Sequence, residues 1–373
     1  MNKLNINSTQ LKNAVAKLIG IVSKKGTRPI LSNSLFKFSG NQLEIFSTDL
    51  DISSKVILDC NTHGDSGEFC LNTKNIFDIL RELPDLELKF EIDQDNKLIK
   101  LNAKNIKYSL LMIPSKDYPE ISFEHNEENT ITLESDDLKE IILKTSFAMS
   151  TDETRMFLNG IYLQNYEGQL RAVAIDGHRL AMLDRNLKLE SNELVDGVII
   201  PRKGVNELRR MAEINADKKI KLSFSKAFLM ATLENEYYIS IRLISREYPK
   251  YSSVIPNKSK SSVTLNRDEL ISAIKRVKIL SNETTNGIKL FFKENLIELK
   301  ANNEVYGEGQ EQIESNYKGD EISMSLNASY LLDTLSVIDN DSIIFEMNNS
   351  RSPLVIKPSN DSNFLGIVMP LRI

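Results

Sequence analysis

One pattern occurs three times in this chain, and it limits the possible folds more than any other feature. It reads Leu4-Asn5-Ile6-Asn7-Ser8-Thr9-Gln10-Leu11, then Ile131-Thr132-Leu133-Glu134-Ser135-Asp136-Asp137-Leu138, then Val263-Thr264-Leu265-Asn266-Arg267-Asp268-Glu269-Leu270. The three openings are 127 and 132 residues apart. Solenoid repeats run to about 20–50 residues, so this period is the size of a whole domain. At 373 residues the chain has room for three copies, and the expected domains are 1–127, 128–258 and 259–373. Their joints are the polar stretches Glu124 to Asn129 and Asn257 to Ser262. An enzyme usually needs one asymmetric site, whereas matched domains more often build a repeated surface.

Each opening leads into a helix-period run and then a strand pair. The pairs are Leu35–Phe38 with Leu43–Phe46, Ile161–Leu163 with Leu170–Val173, and Ile288–Phe291 with Leu296–Leu299. They alternate with period two across short polar turns, as hairpins do. A second helix is expected over Thr73–Leu83, Arg202–Ala212 and Asn327–Val337, with more strands after it. Runs of strands broken by single helices argue α+β and antiparallel sheets. Two copies close alike, at Tyr118-Pro119 and Tyr248-Pro249.

Composition excludes some classes. The chain is 41% hydrophobic and 27% charged, ordinary globular material. No apolar run approaches the roughly 18 residues of a membrane span, and the polar start Met1–Asn5 carries no signal-peptide pattern. Cys60 and Cys70 are too few for a disulfide framework and read as reduced thiols of a cytoplasmic protein. His63, His125 and His178 are isolated, so neither a metal site nor a cofactor is expected.

Charge is distributed unevenly. Residues 1–127 hold 16 basic and 17 acidic groups, residues 128–258 hold 19 of each, and residues 259–373 hold 12 and 16. Such a chain is a poor naive candidate for nucleic acid, but its helices read otherwise. In the first helix Leu11, Val15, Leu18, Ile19 and Val22 form an apolar stripe, with Lys17 and Lys24 opposite. The position of Lys17 recurs as Lys144 and Arg276, so a solvent-facing helical position is basic in all three copies. Second helices add Lys74 and Arg81, matched by Lys203 and Arg210, while the third copy has Ser329 and Ser336 there. With Lys25, Arg155, Arg202 and Lys275, these residues are the candidate DNA-facing set. Such a surface attracts phosphates without reading bases.

Asp176-Gly177-His178-Arg179 invites a catalytic reading, since Asp and His often act together. Adjacent residues rarely converge, however, and no serine or cysteine signature accompanies them. The matching turn in the first copy ends at Asp49, and in the third near Asn302, so the acidic or amide residue reads as a turn device. Gly177-His178-Arg179 is what the second copy adds, and its use is expected to be asymmetric.

The chain resembles the bacterial DNA sliding clamps, the beta subunits of DNA polymerase III, over essentially all its length. The segments that carry the resemblance are Ala174–Ala181, Pro201–Val205, Ile279–Glu283 and the terminal Val368–Ile373. It implies a non-catalytic processivity factor: a head-to-tail homodimer of three-domain chains forming a six-domain ring, with helices inside and sheets outside. Duplex DNA would pass through the hole, bound without regard to sequence. Tyr108 and Leu110 at one sheet edge, and Ile279 and Leu280 at the other, would form the dimer interface. The resemblance also implies a pocket for short linear peptides of the polymerase III catalytic subunit, the clamp loader, other polymerases and repair proteins. Its residues would be Leu158, Ile175, Gly177, His178, Arg179, Leu180, Pro249, Val254, Asn327, Tyr330, Pro353, Met369, Pro370, Leu371 and Arg372. Ile175 stands where the family often has threonine, and Ser253 where some members have arginine. Two alternatives stay open at the level of sequence. A metal-dependent DNA-processing enzyme would need a carboxylate cluster that the scattered acids do not form, and a repeat scaffold would bind no DNA topologically.

Overall fold

The computed structural model describes residues 2–22, 28–123, 129–187, 189, 194 and 196–371. All three copies run through the same order of elements, two halves of one strand, one helix and three strands. The first copy has β1 (Asn2–Asn7), α1 (Ser8–Leu18), β2 (Asn33–Ser39), β3 (Gln42–Thr48) and β4 (Ile52–Asp59). It continues with β5 (Gly67–Asn72), α2 (Thr73–Glu82), β6 (Glu87–Asp93), β7 (Leu98–Ala103) and β8 (Ile106–Leu111). The second has β9 (Thr130–Glu134), α3 (Ser135–Ser146), β10 (Gly160–Tyr166), β11 (Gln169–Ile175) and β12 (Arg179–Arg185). Then come β13 (Val198–Pro201), α4 (Arg202–Ile214), β14 (Lys219–Phe224), β15 (Phe228–Leu233) and β16 (Tyr237–Arg242). The third has β17 (Ser261–Asn266), α5 (Arg267–Lys278), β18 (Gly287–Lys293), β19 (Leu296–Asn303) and β20 (Gly307–Glu314). It ends with β21 (Ile322–Asn327), α6 (Ala328–Ser336), β22 (Ser342–Met347), β23 (Leu354–Pro358) and β24 (Phe364–Val368).

The repeated opening folds as its pattern requires. Period-two alternation buries Leu4 and Ile6, Ile131 and Leu133, and Val263 and Leu265, and leaves their polar neighbours facing out. In the first and third copies the last residue of the strand then caps the helix. Asn7 Oδ1 accepts from the amides of Thr9 at 2.9 Å and Gln10 at 3.0 Å, and Asn266 Oδ1 accepts from Glu269 N at 2.9 Å. Asn72 and Asn327 cap α2 and α6 the same way. Each cap satisfies helix amides that otherwise lack a partner, worth about 0.5–2 kcal/mol against alanine.

The sheets cross the repeat boundaries, and the chain forms two compact units. One consists chiefly of Met1–Leu138 with Asn206–Leu243. It contains an eight-stranded sheet, β5-β2-β3-β4-β16-β15-β14-β9, and a four-stranded sheet, β1-β6-β7-β8. The other consists of Lys139–Leu189, Leu194–Val205 and Ile244–Ile373. It contains the eight-stranded sheet β13-β10-β11-β12-β24-β23-β22-β17 and the four-stranded sheet β20-β19-β18-β21. All strand pairs are antiparallel. Both eight-stranded sheets are joined by one rule. The third hairpin strand of a copy pairs with the last strand of the next copy: β4 with β16 through Ser54↔Ile239, and β12 with β24 through Ala181↔Gly366. By position β20 and β8 are the next such pair. Each is the outer strand of its own four-stranded sheet.

Candidate functional site

Three equivalent turns follow the second hairpin strand of each copy, and in each an Asx side chain holds the loop. Asp49 Oδ1 accepts from the amides of Asp51 at 3.1 Å and Ile52 at 2.8 Å. Asp176 Oδ1 accepts from His178 N at 2.8 Å and Arg179 N at 3.0 Å. In the third copy the residue is Asn303, accepting from Val305 N at 3.0 Å and Tyr306 N at 3.2 Å. It lies one position past Asn302, near which the turn was expected. All three are turn devices, so Asp176 is occupied with backbone amides and not aimed at His178.

The second copy's turn sits above an apolar cluster. Leu180, Tyr248, Tyr251, Val355 and Ile367 form its buried part, and Ile175, Val254 and Met369 pack against it partly exposed. Met369 N donates to His178 O at 2.8 Å, and Leu371 N donates to Ser325 O at 2.7 Å, which fixes the terminal segment beside the turn. Arg179 Nε meets Asp176 Oδ2 at 3.0 Å, its Nη1 meets Asp333, and its guanidinium lies 4.4 Å from the Tyr330 ring centre. The His178 ring stacks on Tyr330 at 6.1 Å. Arg179 is therefore a tie that orients Tyr330 and the loop, not a free charge. Gly177 takes φ +93°, and a Cβ there would sit 3.0 Å from Arg155 Nη1.

This places most of the expected pocket residues around one patch, with corrections. Leu158, Leu180 and Asn327 are buried, and Leu180 belongs to the cluster. Asn327 is engaged in capping α6 and donates to Thr285 O, at 2.8 Å from its Nδ2. Ile175, Pro249, Val254, Pro353, Met369, Pro370 and Leu371 are half-exposed, and Gly177 and His178 are exposed. Arg372 lies outside the described residues. Beside the patch runs a groove of about 680 Å³ lined by Tyr162, Met182, Tyr248, Pro249 and Tyr251. The Tyr162 and Tyr248 rings stack 4.6 Å apart. The pocket expectation omitted these tyrosines.

The basic set divides sharply. Lys144, expected to face solvent, is only 7% exposed. Its Nζ is 2.7 Å from Glu140 Oε1 and 3.7 Å from Asp339 Oδ2, so two carboxylates draw it down. Lys17 is half-buried with Nζ 5.2 Å from the Tyr237 ring centre, and burial lowers its pKa. Arg202 donates to the carbonyls of Met149 at 2.9 Å and Ser150 at 2.8 Å. Arg155 pairs with Asp152 at 2.8 Å beside Gly177, away from any α-helix. Arg210 leans on Glu207 at 3.4 Å. Lys74, Arg81, Lys203, Lys275 and Arg276 are exposed on α2, α4 and α5, as are Lys139 on α3 and Arg209 on α4; Arg81 pairs with Asp78 and Glu82, and Arg209 with Glu213. Lys24 and Lys25 lie outside the described residues. Among the described residues no group of histidine, cysteine and carboxylate side chains is arranged to hold a metal. Cys60 and Cys70 are free, and burial pushes the Cys60 thiol up to about 11, which keeps it protonated and unreactive.

The two outer strands differ in character. β8 exposes Tyr108 and Leu111 and carries Lys107, with Lys104 just before it. β20 carries Glu308, Glu311 and Glu314. Ile279 and Leu280 are not on that strand, as expected from sequence, but directly after α5. Leu280 nevertheless reaches it, since its Cδ1 would be 3.3 Å from a Cβ at Gly309. Arg276 Nε meets Glu311 Oε2 at 3.0 Å. Leu111, Val305 and Tyr306 are exposed large apolar residues at these edges that the sequence reading passed over.

Comparison with known proteins agrees over the whole chain. Residues 2–122, 132–250 and 252–372 match the N-terminal, central and C-terminal domains of the DNA polymerase III beta subunit. The chain belongs to the DNA polymerase III beta subunit family. That family, the beta sliding clamps, serves DNA polymerase III as a non-catalytic processivity factor. The chain is 31% identical over 357 residues to the beta sliding clamp of Pseudomonas aeruginosa, covering 95% of each. It is 30% identical to that of Haemophilus influenzae across 100% of both chains. The crystal structure of the P. aeruginosa subunit superposes with a TM-score of 0.94 at 29% identity, covering 100% of both chains. A P. aeruginosa sliding clamp bound to griselimycin gives 0.93 at the same identity and coverage. Among the described residues no helix is long and apolar enough to cross a membrane.

Proposed function

We propose that two copies of this chain close head to tail into a ring around duplex DNA in the cytoplasm. On this reading the domains are 1–127, 128–258 and 259–373, and partner proteins dock through short peptides on the patch at Ile175, His178, Val254 and Met369. The polymerase III catalytic subunit, the clamp loader, other polymerases and repair proteins are the partners. No metal or cofactor takes part. The observation that carries the reading is the joining rule of the two eight-stranded sheets. Applied once more, it joins β20 of one chain to β8 of the next and makes a third eight-stranded sheet. The outer edges of β20 and β8, open in a single chain, are then covered, as sheet edges require. A heterologous contact of this kind closes into a ring if its rotation allows.

The internal junctions also supply the register. Arg242 N donates to Asp51 O at 2.8 Å just beyond the pair Ile241↔Ile52, and Met369 N donates to His178 O just beyond Val368↔Arg179. Carried to the third copy, Tyr108 lies opposite Gly309 and Lys107 opposite Gln310. Tyr108 then covers the glycine that Leu280 flanks, and Lys107 stands between Glu308 and Glu311. The complementary charge gives orientation more than affinity. Exposed Lys74, Lys203 and Lys275 supply the phosphate contacts, independent of base sequence.

Cysteines at Lys107→Cys and Gln310→Cys test the register. Directly opposed antiparallel residues have Cα atoms about 4.5–5.5 Å apart, within disulfide reach. Oxidation should link chains into covalent dimers. Absence of linkage, alongside efficient linkage of a pair shifted by two residues, would reject this register.

A further inference from the structure

A second cleft lies where β4 meets β16, in the compact unit that holds the first copy. Its volume is about 370 Å³, and it is lined by Leu50, Ile121, Phe228, Glu120 and the hydroxyls of Ser223 and Ser225, among others. We propose that this cleft is a second, weaker docking site, for a short peptide that carries an apolar side chain next to a lysine or arginine. The proposal rests on the reading of the patch at His178 and Met369 as a peptide site, because the two places are equivalent within the repeat.

The equivalence is residue by residue. Leu50 holds the turn position of Gly177, with φ +82° against +93°. Thr48 stands for Ile175 and Ser53 for Leu180 at the ends of the same strands. Pro119, also at the cleft, follows Tyr118 as Pro249 follows Tyr248. A bulky side chain at positive φ is a genuine backbone outlier, and such strain gathers at functional positions. Here a glycine would fit the turn with less strain, yet Leu50 is kept and its side chain is 46% exposed. Phe228, on the same cleft, is 44% exposed. Two large apolar groups are thus held half in water around one concavity, at the lower end of the roughly 300–1,000 Å³ typical of ligand clefts.

The lining selects the ligand. Among the described residues no lysine, arginine or histidine borders the cleft, so phosphates and carboxylates have nothing to bind. Glu120 is its charged residue and has no ion pair among the described residues. It suits a lysine or arginine. Ser225 Oγ donates to Phe228 O at 3.1 Å and Ser223 Oγ is 2.9 Å from Thr130 Oγ1, and each hydroxyl keeps a lone pair for a peptide N–H. Apolar anchors with a few polar groups make a peptide site. At the other patch Arg179 is already paired with Asp176 and Asp333, so a preference for arginine should belong to this cleft alone.

The test is calorimetric titration of the full-length protein with a capped pentapeptide containing two leucines and one arginine. Unaltered protein should show two sites per chain. Met369→Asp should leave one, and adding Leu50→Asp should leave none. Leu50→Gly relieves the backbone and should keep or raise Tm while weakening the residual binding at least fivefold in the Met369→Asp background. Glu120→Gln should remove the preference for the arginine peptide over its glutamine analogue. If Met369→Asp abolishes all binding, the second site does not exist. Residual binding untouched by Leu50→Gly also rejects it. If the unaltered protein binds no peptide at all, the peptide reading of both clefts fails together.

Discussion

Replacing Ile279 by alanine should open the ring without disturbing the chain that forms it. Ile279 is 77% exposed in the single chain, so nearly its whole side chain is available for a neighbour to cover. Full burial of such a side chain stabilises by about 1.5–3 kcal/mol. Alanine retains only the first methyl, so about 1–2 kcal/mol of that is lost at each junction. A closed dimer has two junctions with one Ile279 in each, so the loss doubles to about 2–4 kcal/mol per ring. At 1.4 kcal/mol per tenfold change, the dimer Kd should rise roughly 30- to 700-fold. Sedimentation velocity over a dilution series reads this directly. Thermal unfolding of the isolated chain should hardly change, because surface substitutions away from packed features cost little. A dimer Kd within threefold of the unaltered protein would refute the placement of Ile279 at a junction. A monomeric unaltered protein at micromolar concentration would refute the ring itself.

Reversing Lys74, Lys203 and Lys275 to glutamate should lower the salt dependence of DNA binding by about 0.9 in log–log slope for every phosphate that is no longer neutralised, as measured by fluorescence anisotropy; an unchanged slope would mean these helices do not face DNA. Lys144→Met should leave that slope alone and cost about 1–2 kcal/mol in a denaturant melt, since it strips a cation from Glu140 and Asp339, which are themselves partly solvated. The hydrogen bond from Arg276 holds the Glu311 carboxyl below its ordinary value of 4.5. The pair's contribution is therefore fully present above pH 4.5 and is lost as pH falls through the depressed value. Arg276→Gln should flatten that acid limb of the stability profile, and an identical limb in both proteins would contradict it.

Local features were legible in the sequence because they depend on near neighbours. The alternation at Leu4 and Ile6, the asparagine caps, and the turn device at Asp49 and Asp176 all follow from a few consecutive residues. The third turn lay one residue beyond the expectation because the strands were matched leucine to leucine, Leu170 to Leu296, whereas the hairpins align Gln169 with Leu296. Lys144 was misjudged because, besides Glu140 on its own helix, it meets Asp339, which comes from the next copy. No helical wheel contains that partner. The sheets that run across repeat boundaries were invisible for the same reason: pairing of β4 with β16 depends on strands far apart in the chain. Of the candidate pocket, the loop and terminal segment were legible from motifs that occur once. The stacked Tyr162 and Tyr248 were not, because ordinary core tyrosines carry the same pattern.

The central proposal is topological, and one measurement addresses it directly. The protein is loaded onto nicked circular duplex DNA with a clamp loader and ATP, then passed over a sizing column at salt high enough to abolish phosphate contacts. A closed ring should stay with the circle and be released once the circle is cut to a linear form. Equal retention on circular and linear DNA, or loss from both at the same salt, would show that the protein binds along the DNA surface and does not encircle it.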